Sequence, residues 1–318
     1  MKQVLSYAGI RDMRYCLFFI LSLLLVSCTG CNLDIKPVDL LSKMDARIPV
    51  LTASMMLTSR SGTILFDEEI GTIAEFDASP IPLAQASPNG TTITLVFQQS
   101  VQPGTSVTVT GKVKDKRGNS NRFSIKLWGK NAYPAGVLIT EFTTKGTETN
   151  PDRVELYVTR SGSMGGIVVT DGSDRYVFPD KTVWAGEYLV VQFQKGKTLL
   201  EHHSEQLAGL TSNNGLLWIC SSPDSDGQIL DAVAYSNGAA TYEGWGNETV
   251  QNRASWLVTQ EAWTSKTSTD AIPSELTTAT RSCNRWGTQD TNSKDDWYIT
   301  TQSHATFGKP NWEEVYVP

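Results

Sequence analysis

The chain has 318 residues, 40% of them hydrophobic and 19% charged, with 33 acidic against 27 basic residues and a formal charge of −6. Removing residues 1–27, which hold Lys2, Arg11, Arg14 and Asp12, takes that charge to −8. Binding a phosphate backbone needs a concentrated positive surface, so nucleic acid is not an expected partner. The length beyond residue 27 suffices for two domains of ordinary size, each with its own core.

At the N-terminus, Lys2, Arg11 and Arg14 precede an apolar run from Tyr15 to Val26 whose polar interruption is Ser22. A bilayer-spanning helix needs roughly 20 apolar residues, so this shorter run reads as an export signal and not as a permanent membrane span. Its ending, Leu25-Val26-Ser27-Cys28, resembles the lipobox of bacterial lipoproteins. That resemblance implies residues 1–27 as a signal peptide, lipid on Cys28, and a cell-envelope location held through the membrane. Several acyl chains on one cysteine satisfy the two-signal requirement for stable anchoring. Thr29 stands where an inner-membrane retention signal typically has Asp, so the outer membrane is the expected destination. The alternatives are an ordinary signal peptide cut near Cys31, and translation from Met13, which also opens a basic-then-apolar leader.

Residues 28–46 read as a polar tether containing Pro37, and 47–130 as the first β module. Thr91 to Phe97 is β-branched and aromatic. Val107, Val109 and Val113 alternate with polar residues, a turn is expected over Asp115 to Ser120, and Phe123, Ile125 and Leu127 alternate again. Period-2 alternation on both sides of a turn predicts a hairpin with one buried face. This hairpin resembles the C-terminal half of bacterial immunoglobulin-like modules, which implies a β-sandwich spacer. Asn131 to Gly136 breaks the pattern and is the expected linker.

The second module is expected over 137–312, with 313–318 as a C-terminal tail. Strand-like segments run at Val137 to Phe142, Arg153 to Val158, Tyr176 to Pro179, Glu187 to Phe193, Leu216 to Cys220 and Ile229 to Tyr235. Turn residues at Asp171-Gly172 and Asp226-Gly227 punctuate them, as in a second sandwich. Residues 239–280 read as an insertion, with Asn247 or Thr249 as N-cap of one short helix carrying Val250, Ala254, Leu257 and Val258. The expected fold class is therefore all-β: two immunoglobulin-like β-sandwiches, the second with a short helical insertion.

Several motifs in order carry a family resemblance. Ile139-Thr140-Glu141-Phe142, Val154-Glu155-Leu156-Tyr157, Asp226 to Tyr235, Asp290 to Trp297 and Gly308-Lys309-Pro310-Asn311 together resemble the bacterial lamin-tail domain. Val158, where that pattern often has asparagine, and the long insertion depart from it. The resemblance implies an interaction or scaffolding role; fold alone does not name the partner, and an envelope protein or a glycan is the expectation.

Chemistry-bearing residues are sparse. The histidines are His202, His203 and His304, and the adjacent pair lacks the i, i+4 spacing of a helical metal site. Asp224 to Gln228 lacks the sixth-position glycine and twelfth-position glutamate of a calcium loop, so a hairpin turn is expected there. Asp290, Asn292, Asp295 and Asp296 are expected to form a side-chain-capped turn in preference to a divalent-ion site. No cofactor or metal is implied. Lys195-Gly196-Lys197 reads as a solvated turn. Cys220 and Cys283 could form a disulfide in an oxidising compartment or remain buried thiols.

Eight of nine tryptophans fall in the second module. Trp218 and Trp297 are expected in the core. Tyr242, Trp245, Trp256 and Trp263 in the insertion are the candidate ligand-binding aromatics, against the simpler reading that they glue the insertion to the sandwich. A third reading makes the protein a hydrolase using loop carboxylates Glu141, Glu155, Asp171 and Asp231. The preferred expectation is a non-enzymatic, lipid-anchored interaction module.

Overall fold

The computed structural model describes residues 46–193, 202–203, 208–224 and 227–318. The tether, Cys28 and the lipobox segment, the Lys195 to Lys197 cluster, and Ser225 and Asp226 of the Asp224 turn lie outside the described residues. Two units divide the chain, Met1–Arg47 and Ile48–Pro318. Of the first, Ala46 and Arg47 are described, and both are exposed. No helix among the described residues is long and apolar enough to cross a membrane.

The unit Ile48–Pro318 is all-β and holds two sandwiches, each around a separate hydrophobic core. The first has seven strands: β1 (Leu51–Met56), β2 (Ser61–Phe66), β3 (Ile70–Ser79), β4 (Leu83–Asn89), β5 (Thr92–Phe97), β6 (Ser106–Asp115) and β7 (Ser120–Trp128). They form a sheet of order β1-β2-β5-β4 packed on one of order β3-β6-β7. The expected hairpin is β6 and β7, in continuous antiparallel register from Ser106↔Trp128 to Lys114↔Ser120. Val107, Val109 and Val113 are fully buried, as the period-2 pattern requires. Its turn forms because Asp115 accepts from Arg117 N (2.8 Å) and Asn119 N (2.9 Å), while Gly118 takes φ +97°.

The second sandwich contains β8 (Gly136–Thr143), β9 (Arg153–Arg160), β10 (Gly162–Ser163), β11 (Val168–Thr170), β12 (Arg175–Val177), β13 (Thr182–Val183) and β14 (Tyr188–Gln192). It continues with β15 (His202–His203), β16 (Gly215–Cys220), β17 (Ile229–Ser236), β18 (Ile272–Pro273), β19 (Cys283–Arg285) and β20 (Trp297–Ile299). A five-stranded sheet of order β12-β11-β16-β17-β18 faces a six-stranded sheet of order β15-β14-β9-β8-β19-β20. Every strand-like segment expected from the sequence lies on or overlaps one of these strands.

The insertion is part of the core. Its helix α1 (Glu248–Thr259) starts at Asn247, whose side chain accepts from Val250 N at 3.0 Å. Val250, Ala254 and Leu257 are buried, and the segment returns as β18, pairing parallel with β17. Arg253 pins the helix to the β11–β12 turn by donating to Asp171 O (3.0 Å) and Gly172 O (2.7 Å).

Between the two sandwiches, Asn131 Nδ2 donates to Ser163 O and Gly165 O, both at 2.9 Å. Gly104, at φ +76°, approaches so closely that a Cβ there would lie 2.3 Å from Phe178 O. Glycine is required at that contact both for its backbone conformation and for its lack of a side chain.

A candidate binding face on the six-stranded sheet

In β9, Val154, Leu156 and Val158 enter the core, so Arg153, Glu155 and Tyr157 take the opposite face of the strand. Tyr188 pairs with Tyr157 from β14, and Glu141 pairs with Glu155 from β8. The C-terminal segment 301–316 runs over this face as a strap. Thr306 N donates to both Glu141 oxygens (3.0 and 3.1 Å), and Gly308 N donates to Glu155 at 2.6 Å. Ser282 Oγ completes Glu141, and Thr140 Oγ1 completes Glu155 at 2.7 Å. Arg153 lies 4.1 Å over the Phe307 ring, and Arg281 lies 4.0 Å over that of Tyr316.

Glu141 and Glu155 are both fully buried. Burial pushes the Glu155 carboxyl up to about 8, with the neighbouring Glu141 charge adding to the rise. Burial also raises Glu141, against the pull of its hydrogen bonds and of Arg153. The acceptors of both carboxyls are filled by protein donors.

A second polar node ties the two sheets together. Arg285 on β19 donates to both oxygens of Asp231 on β17 (2.9 and 2.7 Å) and to Ile139 O (2.6 Å). It also donates to Gln289 O (2.9 Å) and Asp290 (3.2 Å). Burial pushes the Asp231 carboxyl up to about 6, opposed by the Arg285 charge. Nearby, Asp296 accepts from Thr291 N, Thr291 Oγ1 and Gln289 Nε2, and Ser293 and Asp296 form a capping box. The acidic stretch 290–296 is thus a capped turn.

These placements correct where three of the four carboxylates named for a hydrolase stand. Glu141, Glu155 and Asp231 sit on strands, not loops, and Asp171 caps its own turn by accepting from Ser173 N (2.7 Å) and Asp174 N (2.8 Å). The insertion aromatics also separate. Trp245 is fully buried and donates its Nε1 to Lys266 O at 2.9 Å, and Trp263 is 2% exposed. Both are core residues and cannot form a surface platform. Tyr242 and Trp256 remain at the surface, the latter edge-on to Trp218 at 5.4 Å. Trp218 and Trp297 are buried, as expected. Cys220 and Cys283 are free thiols on opposite sheets, so the disulfide alternative is not realised. Burial raises the pKa of both. His304 meets Thr301 Oγ1 and packs 5.0 Å from the Trp312 ring, and the described residues hold no cluster suited to a metal ion.

A cleft of about 180 Å³ opens beside the strap. Its walls carry two aromatic pairs: Tyr157 with Tyr188 (ring centroids 5.1 Å apart) and Trp286 with Tyr298 (4.1 Å, 32° between planes). Asn311 and Glu313 reach it from the strap. Asn311 spends its Nδ2 on Thr140 O and Arg285 O, both at 2.9 Å, while its Oδ1 is buried without a partner. Sequence reasoning missed this cleft. Tyr157 reads as part of a strand motif, and nothing in local spacing shows that residues 157, 188, 286 and 311 meet.

The family model TP_1001_2nd, described as a protein second domain, matches residues 135–207 and 203–299. The chain belongs to this family. The TP_1001_2nd match covers the second sandwich with Tyr157, Tyr188, Trp286 and Tyr298, and ends before the strap residues Thr306, Gly308 and Asn311. No curated protein matches the chain. Among solved structures it is similar to the N-terminal part of the bacterial S-layer protein SbsC (14% identity, TM-score 0.26, 58% of this chain and 44% of that one). It is also similar to a DUF4876 family protein from Bacteroides thetaiotaomicron VPI-5482 (12% identity, TM-score 0.29, 86% of this chain and 96% of that one). The chain spans less than half the length of the S-layer chains, and superpositions this loose carry no functional argument.

Proposed function

We propose that this chain is a non-enzymatic binding module of the bacterial cell envelope, held there by lipid on Cys28, and that the cleft beside the strap is the surface it presents. One contrast carries the reading. Glu141, Glu155, Asp231 and Asp296 are all spent on protein donors. The cleft keeps aromatic surface and the Tyr157 and Tyr188 hydroxyls. General acid–base chemistry needs a group within hydrogen-bond reach of its substrate, and these buried carboxylates already reach the protein. A pocket with aromatic walls and a few polar groups is suited to holding a ligand.

The segment Leu25-Val26-Ser27-Cys28 supports the anchor, and Thr29 supports the outer membrane as its destination. The lamin-tail likeness gains support from where its motif residues stand. Glu141, Glu155, Gly308 and Asn311 build the strap contact, and Asp231 builds the inter-sheet ion pair. Palmitate labelling in cells is expected to mark the wild-type protein and not Cys28→Ala, and the mature protein should lack every peptide N-terminal to Cys28. A soluble mature form starting elsewhere overturns the anchor. Hydrolytic turnover that disappears in Glu141→Gln overturns the non-enzymatic reading.

A further inference from the structure

The cleft's chemistry narrows its ligand. At about 180 Å³ it is smaller than the roughly 300–1,000 Å³ of pockets that enclose drug-sized ligands. It therefore holds a single small ring, with the rest of the ligand outside. Trp286 covers Tyr298, which is 6% exposed, and keeps 37% of its own surface open. An indole stacked on one ring and open to solvent offers a flat apolar platform.

The polar groups of the lining disfavour an anion. Arg285 is the basic residue of the lining, and its guanidinium is committed to Asp231, Asp290, Ile139 O and Gln289 O. No cationic donor is left for an anion, and the exposed Glu313 carboxylate repels one. The Tyr157 and Tyr188 hydroxyls, which can both donate and accept, have no hydrogen-bond partner among the described residues. A ligand with an apolar face and hydroxyls that both donate and accept matches these walls.

We propose that the cleft binds one pyranose ring of an uncharged glycan, its apolar face laid on Trp286 and its hydroxyls shared among Tyr157, Tyr188 and Glu313. This rests on the reading of the protein as a binding module. It moves the aromatic platform away from the insertion, whose Trp245 and Trp263 are buried.

The test uses the full chain on an array of neutral, acidic and amino glycans, followed by tryptophan-fluorescence titration with the neutral sugar retained best. Saturable binding to a neutral glycan is expected, weakened about tenfold or more in Trp286→Ala. Tyr188→Phe keeps the ring and loses one hydroxyl, and should weaken binding about three- to tenfold. Trp256→Ala, in the insertion, should bind as wild type. Thermal melts of each variant separate lost contacts from lost folding, and Tyr188→Phe keeps the test decisive if Trp286→Ala melts early. The proposal is overturned if no neutral glycan binds, if binding survives in both Trp286→Ala and Tyr188→Phe, or if acidic or ammonium ligands alone are retained. Should neutral glycans fail while capture of an envelope component still depends on Trp286, the sugar assignment falls and the binding module stands. If Trp286→Ala changes no capture, both fall.

Discussion

Two segments cover the second sandwich, and they are held by opposite physics. The insertion reaches the core through apolar mass: Trp245, Trp263, Val250 and Leu257 are buried with it. The C-terminal strap lies on a face that already holds two buried carboxylates, and its backbone N–H groups supply their hydrogen bonds. Apolar burial is non-directional and indifferent to protonation. A clasp built on Glu141 and Glu155 depends on geometry and on pH. The insertion should therefore behave as a permanent part of the sandwich, and the strap as the segment whose attachment responds to conditions.

The largest expected effect breaks the insertion. Trp245→Ala removes a fully buried indole and orphans Lys266 O, for an expected loss of about 3–5 kcal/mol, visible as a lowered urea midpoint. Because Trp245 belongs to the same core cluster as the two sheets, unfolding should stay a single transition. A separate early transition confined to the insertion would contradict its place in that core.

How much of this contrast was legible in the sequence differs between the two segments. The helix announced itself through Asn247 or Thr249 as its cap, of which the structure uses Asn247, and through the spacing of Val250, Ala254, Leu257 and Val258, because capping and amphipathic period are local signals. β5 to β7 of the first sandwich and β8, β9, β12, β14, β16 and β17 of the second were legible for the same reason, through alternation and turn residues, whereas β1 to β4 and the short strands β18 and β19 were not singled out. Trp245 was not. A tryptophan in an insertion reads equally as platform or as core until its neighbours are known, and its Nε1 partner lies 21 residues away at Lys266 O. The strap was least legible of all. Glu141 meets Thr306 across 165 positions, Asn311 meets Thr140 across 171, and no periodicity encodes such pairings. The cleft inherits that difficulty, since Asn311 and Glu313 of its lining come from the strap.

A smaller effect tests the strap through pH. Glu155 is raised from an ordinary carboxylate value to about 8 in the folded protein, so the folded state holds its proton more tightly than the unfolded state. Stability from this group is fully present below about pH 4.5 and is lost as pH rises through 8. Glu141 is shifted in the same direction. Urea midpoints measured between pH 5 and 9 should fall on the alkaline side by the equivalent of a few kcal/mol, with C-terminal proteolysis rising in parallel. Glu155→Gln should reduce that slope, leaving the contributions of Glu141 and Asp231. Identical slopes in the two proteins would mean that Glu155 titrates normally and that the strap is not pH-sensitive through it.

The smallest effect returns to the insertion and asks whether its helix is held by its cap or by the core. Asn247 accepts from Val250 N at 3.0 Å and adopts extended backbone dihedrals (φ −151°, ψ 162°), the usual geometry of an N-cap. Asn247→Ala removes that acceptor, and such substitutions cost about 0.5–2 kcal/mol. Burial of Val250, Ala254 and Leu257 and the Arg253 contacts to Asp171 O and Gly172 O remain. The loss should therefore fall near the low end of that range and leave helical circular dichroism unchanged. A loss as large as that from Trp245→Ala would show that the cap nucleates the whole insertion, and that local signal and tertiary packing there are not separable.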